Sequence, residues 1–333
     1  MTTAFIMGVS GPVLTAWERD FIREAQPWGF ILFDRNLTDA DQIRALNADL
    51  RQAVGTDAPI LIDQEGGRVQ RLRPPLAEER MPPLDFMRLP AGKRAQAMAL
   101  RYRHIAYELH DLGIDVNCAP MLDVPEDETH PFLMNRCYSR DPGEIAEIGR
   151  AVMQAHLAGG VLPIAKHIPG HGRGTVDSHF GLPVVEADLD ELQRDFAPFA
   201  ALSDIRMAMI AHVVYTALDA QACATLSPVV VRYIRDVLGF GGLLMTDDLS
   251  MHALGGSFEN RVRGSLDAGC DMILHCNGDP AEMVEIAAAV PVLSGPAAAR
   301  AEAALAERRP PEPFDAQAAS IALAALEAEA RDA

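Results

Sequence analysis

Positive charge is scarce in this chain: 29 Lys and Arg stand against 47 Asp and Glu, a net charge of −18. Nucleic acid and anionic membrane surfaces both call for clustered cations, so the balance argues against either as a partner. Cysteine is also sparse. The five thiols (Cys118, Cys137, Cys223, Cys270, Cys276) are odd in number, scattered, and form no CxxC pair. That pattern favours reduced thiols in a cytoplasm over a disulfide framework or a structural zinc site. No run of about 18 apolar residues occurs, so no membrane span is expected. The opening Met1-Thr2-Thr3-Ala4-Phe5-Ile6-Met7-Gly8 has no basic n-region and too short an apolar run for a signal peptide. A cytoplasmic monomer is the expectation. No Pro/Ser-rich linker divides the chain; the nearest break, residues 308–313, precedes an Ala/Glu-rich tail.

What is present is alternation. Short apolar segments at 4–9, 29–33, 59–63, 114–117, 161–166, 207–211, 242–246 and 271–275 read as strands. Helix-like segments lie between them at 39–54, 92–112, 141–158, 188–202, 227–238 and 258–268, many opening on a capping Asp or Ser. With 333 residues, of which 49% are hydrophobic, the repeat predicts an α/β fold: a single (β/α)8 TIM-type barrel over 1–296. Residues 297–333 are read as a C-terminal helical extension packed on the barrel. A doubly wound sheet is the alternative, since periodicity does not prove closure.

In a barrel, catalytic residues lie just past the C-terminal ends of strands. The polar clusters fall there: Asp63, Asp123, Lys166-His167, His212 and Asp247-Asp248. The densest stretch is 166–179, Lys-His-Ile-Pro-Gly-His-Gly-Arg-Gly-Thr-Val-Asp-Ser-His, a Gly-rich loop that opens from the fifth strand. Within it Asp177 can orient His179 and raise its pKa, which suits proton transfer better than a simple Asx turn. His171 reads as a loop organiser. Asp63 and Arg71 are suited to hold hydroxyls of a polar substrate, and Lys166-His167 to donate to hydroxyls or an N-acyl carbonyl. Glu65 and Arg68 can equally form a local ion pair. Arg136 is a weaker candidate clamp, and Arg140-Asp141 reads as an ion pair before a helix. Asp247 at a strand end can attack an anomeric carbon, with Asp248 a helix cap. A metal site using His212 and His275 is the rival, although no HxH or HExxH occurs. A non-catalytic sugar-binding barrel is another.

These pieces together resemble glycoside hydrolase family 3, and within it the bacterial β-N-acetylglucosaminidases of cell-wall recycling. Asp-Gln-Glu-Gly-Gly-Arg-Val-Gln-Arg at 63–71, Ala-Pro-x-x-Asp-Val at 119–124, Asn-Arg at 135–136, Lys-His-x-Pro-Gly-His-Gly with Asp-Ser-His at 166–179, and Thr-Asp-Asp-Leu-Ser-Met at 246–251 carry the likeness in order. Ile168 stands where phenylalanine is commoner. The resemblance implies a single-domain form, with Asp247 as nucleophile and His179 as acid/base assisted by Asp177. It also implies that Asp63, Arg71, Arg136, Lys166 and His167 bind an N-acetylglucosamine, with neither metal nor cofactor. The substrate it implies is a small GlcNAc-containing muropeptide. Phosphorolysis, or another β-glycosidase activity of the family, is the alternative reaction. A histidine acid/base, unlike a carboxylate, does not repel an anionic acceptor or aglycone.

Overall fold

The computed structural model describes residues 1–176, 181–251 and 253–333. Its main sheet has nine strands: β1 (Thr3–Gly8), β2 (Pro27–Leu32), β3 (Ile60–Ile62), β4 (Val116–Asn117), β5 (Leu162–Pro163), β6 (Ala165–Ile168), β7 (Met207–Ile210), β8 (Leu243–Asp248) and β9 (Met272–His275). All the pairings in it are parallel. One end of the sheet is β5 on β4, and the other is β6 on β7. Only Ile164 separates β5 from β6, so the two ends of the sheet are halves of one stretch of chain. The sheet therefore curls back on itself into a barrel, and the doubly wound alternative, which leaves two unrelated edges, does not fit.

Both faces of the strands are covered, as parallel sheets require. Side chains alternate along each strand. Ala4, Ile6, Ile31, Leu61, Val116, Met209, Met245 and Leu274 fill the barrel interior. Phe5, Met7, Phe30, Leu32, Ile60 and Ile62 face the surrounding helices.

Those helices include α1 (Ala16–Ala25), α2 (Ala40–Val54), α3 (Ala91–Asp111), α4 (Pro142–Ala158), α5 (Leu189–Ala201), α6 (Pro228–Asp236), α7 (Phe258–Ala268) and α8 (Pro280–Ala289). The capping residues seen in the sequence act as caps. Asp39, Asp141, Asp188 and Ser227 each accept from the backbone N–H three residues on. Asp141 is thereby committed to α4, while Arg140 reaches Asp127 at 2.7 Å, so the expected Arg140–Asp141 pair does not form.

The tail supplies α9 (Gly295–Leu305) and α10 (Ala316–Asp332). Ala301 and Ala304 of α9 join the interior cluster with Ala4, Ile6 and Trp28. Helix α10 packs on α3 and buries Leu323 and Ala330 there. No helix among the described residues is long and apolar enough to cross a membrane.

Candidate active site

The C-terminal ends of the strands open into a cavity of about 320 Å³, at the small end for ligand sites. Asp63, Arg71, Arg136, Lys166, His167 and Asp247 all line it, as do His171 and Asp248. Asp63 and Asp248, 185 positions apart in the chain, thus meet in one place. Asp177 and His179 lie outside the described residues.

Asp63 follows β3 directly. A short antiparallel hairpin, Gln64–Gly66 with Val69–Gln70, carries the chain on to Arg71. The hairpin is pinned from inside: Gln64 Oε1 accepts from the N–H groups of Arg71 at 2.9 Å and Leu72 at 3.0 Å. Gly66 (φ 104°) and Gly67 (φ 61°) take left-handed backbone, and a Cβ on Gly66 would strike the Arg101 guanidinium.

The charges on the cavity wall form one alternating network. Asp63 accepts from Arg71 Nη2 at 3.1 Å and from Lys166 Nζ at 2.8 Å. Lys166 also pairs with Glu65 at 2.5 Å. Glu65 in turn takes a bidentate fork from Arg136, Nε at 3.0 Å and Nη2 at 2.9 Å. Burial raises the pKa of both carboxyls. For Asp63 the charges of Lys166 and Arg71 outweigh burial and hold it well below the usual carboxylate range. For Glu65, Arg136 and then Lys166 do the same. The expected Glu65–Arg68 pair is not made: Glu65, 1% exposed, points inward, and Arg68 turns to the cavity mouth. Glu65 is thus a residue the sequence concealed. It holds two expected sugar-binding cations while remaining out of reach of the cavity.

Glu65→Gln leaves Lys166 and Arg136 short of a counter-charge in a buried setting. The expected cost is about 3 kcal/mol of folding stability, read from urea unfolding at neutral pH. Because Asp63 and Glu65 have depressed folded pKa values, the unfolded chain binds more protons on acidification. The stability they contribute is present above their ordinary values of 3.8 and 4.5 and is lost as pH falls through the lower folded values. For the Glu65→Gln variant the same titration is expected to be shallower.

A second buried pair sets His167. Its Nδ1 lies 2.7 Å from Asp123 Oδ2, so that nitrogen carries the proton and donates. Asp123 is fully buried and also accepts from the His171 N–H at 2.6 Å. Burial raises the Asp123 pKa, but the adjacent His167 outweighs this and keeps the carboxyl below its ordinary value. Lys166 and His167 sit within β6, which runs on to Ile168; the strand does not end at them as expected. His171 fixes its loop through backbone bonds to Asp123 and Gly174. Its ring meets His167 edge-on at 5.7 Å and lines the cavity. Burial, and then His167, push its pKa down to about 4, so it is neutral near pH 7.

The two aspartates of β8 differ sharply. Asp248 accepts from Ser250 N–H at 3.0 Å, Ser250 Oγ at 2.6 Å and Cys276 N–H at 3.1 Å. It ties the end of β8 to the chain after β9. Asp247 accepts only from the Asp248 N–H, at 2.8 Å, among the described residues. Burial raises the Asp247 pKa, yet His212, His167, the Asp248 N–H and Lys166 together hold it below its ordinary value. His212 is committed to Thr225 Oγ1 at 2.7 Å and to the Asp248 carbonyl at 3.1 Å, and His275 to Glu282 at 2.8 Å. Both histidines of the rival metal reading therefore have protein partners. Of the cysteines, only Cys276 lines the cavity; Cys118 and Cys137 are core filler.

Cations, two imidazoles and a carboxylate with no side-chain donor among the described residues, around a space the size of a sugar ring, make the layout of a glycoside hydrolase. The known proteins agree. The description "Glycosyl hydrolase family 3 N terminal domain" matches residues 13–306. A beta-hexosaminidase from Methylococcus capsulatus is 37% identical over 274 residues, 80% of this chain and 80% of that protein. Among solved structures, NagZ from Neisseria gonorrhoeae in complex with N-trifluoroacetyl-D-glucosamine aligns with TM-score 0.83 and 28% identity, covering 99% of this chain and 97% of that one. A family 3 beta-N-acetylglucosaminidase from Paenibacillus sp. aligns with TM-score 0.86 and 27% identity; 97% of this chain spans 66% of that longer one. The chain belongs to glycoside hydrolase family 3.

Proposed function

We propose that the chain is an exo-acting, retaining β-N-acetylhexosaminidase. It removes a non-reducing terminal N-acetylglucosamine from peptidoglycan fragments, and works in cytoplasmic cell-wall recycling. The names of the relatives support the activity, and the sugar held by the Neisseria protein supports the ligand. The unit that acts is read as an eight-fold β/α barrel over 1–296, with 297–333 as its packed helical extension.

One observation supports the reading: of the aspartates lining the cavity, Asp247 alone is free of side-chain donors among the described residues, and it is held in its ionised form. Asp63 is held by Lys166 and Arg71, and Asp248 by Ser250 and Cys276. A nucleophile has to be ionised with a lone pair to spare. Asp247 attacks the anomeric carbon as the glycosidic C–O bond breaks, and the leaving oxygen takes a proton from His179, oriented by Asp177. Water then gives its proton back to His179 and its oxygen to the anomeric carbon, which frees Asp247. The roles of Asp177 and His179 rest on the sequence motif. Asp63, Arg71, Arg136, Lys166 and His167 position the ring, each preset by its buried partner.

The test is hydrolysis of 4-nitrophenyl β-N-acetylglucosaminide beside the β-glucoside, with EDTA and with phosphate. EDTA-insensitive cleavage of the N-acetyl substrate alone is the expected result. N-acetylglucosamine 1-phosphate among the products would make the enzyme a phosphorylase, and cleavage of neither substrate would overturn the reading.

A further inference from the structure

Arg68 stands apart from the network just described. It sits in the turn of the hairpin that separates Asp63 from Arg71, exposed at the cavity mouth. Its guanidinium carbon lies 4.2 Å from the centroid of the Phe132 ring. Carboxylates are abundant in this chain, yet none pairs with Arg68 among the described residues. The hairpin beneath is closely packed: Gly66 and Gly67 lie against Arg101 and Pro82, and Arg101 Nη2 donates to the carbonyls of Glu65 at 2.7 Å and Met81 at 2.8 Å.

We propose that Arg68, stacked on Phe132, is an acceptor-side subsite that binds a carboxylate on the leaving part of the substrate. This deepens the β-N-acetylhexosaminidase reading and rests on it. A planar guanidinium laid on a ring keeps its edge donors free and loses little freedom on taking up a carboxylate. Against a net charge of −18, an unpaired cation at the mouth is a local device and not part of a general field. The group it meets lies toward the exposed mouth of the cavity, because Asp63, Arg71 and Lys166 are taken up with one another on the inner wall. The carboxylate comes either from the lactyl ether of an anhydro-N-acetylmuramic acid or from a peptide attached to it.

The experiment compares wild type with Arg68→Ala and Arg68→Lys on four substrates. These are the GlcNAc–anhydro-N-acetylmuramic acid disaccharide, its lactyl methyl ester, its peptide-bearing form and the 4-nitrophenyl glycoside. Arg68→Ala is expected to lower kcat/KM on the free-acid disaccharide about tenfold more than on the methyl ester, mainly through KM, with Arg68→Lys between. A larger loss on the peptide-bearing form than on the free acid places the carboxylate on the peptide. Equal losses on acid and ester, with no added loss on the peptide form, would overturn the proposal. If wild type cleaves none of the four, it is the hexosaminidase reading that has failed.

Discussion

Asp247→Ala is expected to lower kcat/KM on 4-nitrophenyl β-N-acetylglucosaminide by about three orders of magnitude or more, because no neighbour can take over the attack. Asp63 and Glu65 are locked by buried cations, and Asp248 is turned away to hold Ser250 and Cys276. Asp248→Ala therefore makes the contrast. It removes three hydrogen bonds at the end of β8, so it should lower the melting temperature while costing far less activity than Asp247→Ala. Added azide, a small anion able to fill the vacated space, should restore turnover in Asp247→Ala and give an α-configured azide product. Loss of activity in Asp248→Ala with survival in Asp247→Ala would exchange the two roles. The same carboxylate sets the acid limb of the pH profile. Attack needs the ionised form, and Asp247 is held below its ordinary value of 3.8. Any fall in rate through loss of the nucleophile should thus have its midpoint below pH 3.8.

The second large effect concerns His179. A general acid contributes about 10²- to 10⁴-fold, and most where the leaving group is poor. His179→Ala should accordingly slow cleavage of the natural disaccharide far more than that of the 4-nitrophenyl glycoside. The alkaline limb of the profile should move with it. In the proposed dyad Asp177 is expected to raise the His179 pKa above the ordinary value of about 6.5, so that the protonated form is lost as pH rises through that raised value. Asp177→Asn should shift the limb toward lower pH, since the neutral amide no longer favours the imidazolium. An unchanged profile in both variants would remove His179 from the reaction.

How much of this was legible in the sequence follows from the range of each interaction. The helix caps at Asp39, Asp141, Asp188 and Ser227 are local, and the residues declare them. The rule that barrel sites lie at strand ends placed Asp63, Lys166, His167 and Asp247 together before any geometry was known. Pairings across the barrel were not readable. Glu65 meets Arg136, 71 residues away, and not Arg68, three residues on. The burial of Glu65 decides this, because a carboxylate taken out of water needs the fork of a fixed arginine. Asp123 reaches His167 over 44 residues. Sequence alone marked it as a strand-end residue and could not say which ring it holds. Strand ends were off by one or two residues, as at β4 and β6, because pairing partners and not composition set where a strand stops.

The way the sheet closes has one more consequence. Leu162–Pro163 serve one neighbour and Ala165–Ile168 the other, so this single stretch is the seam of the barrel. Among the described residues, no strand of the main sheet is left with a row of bare N–H and C=O groups for a stranger to pair with. A second chain meeting this one finds no edge of the main sheet to extend, and a net charge of −18 pushes it away. Crowding and moderate heating should leave the folded protein dispersed, and aggregation should begin only once the seam has opened.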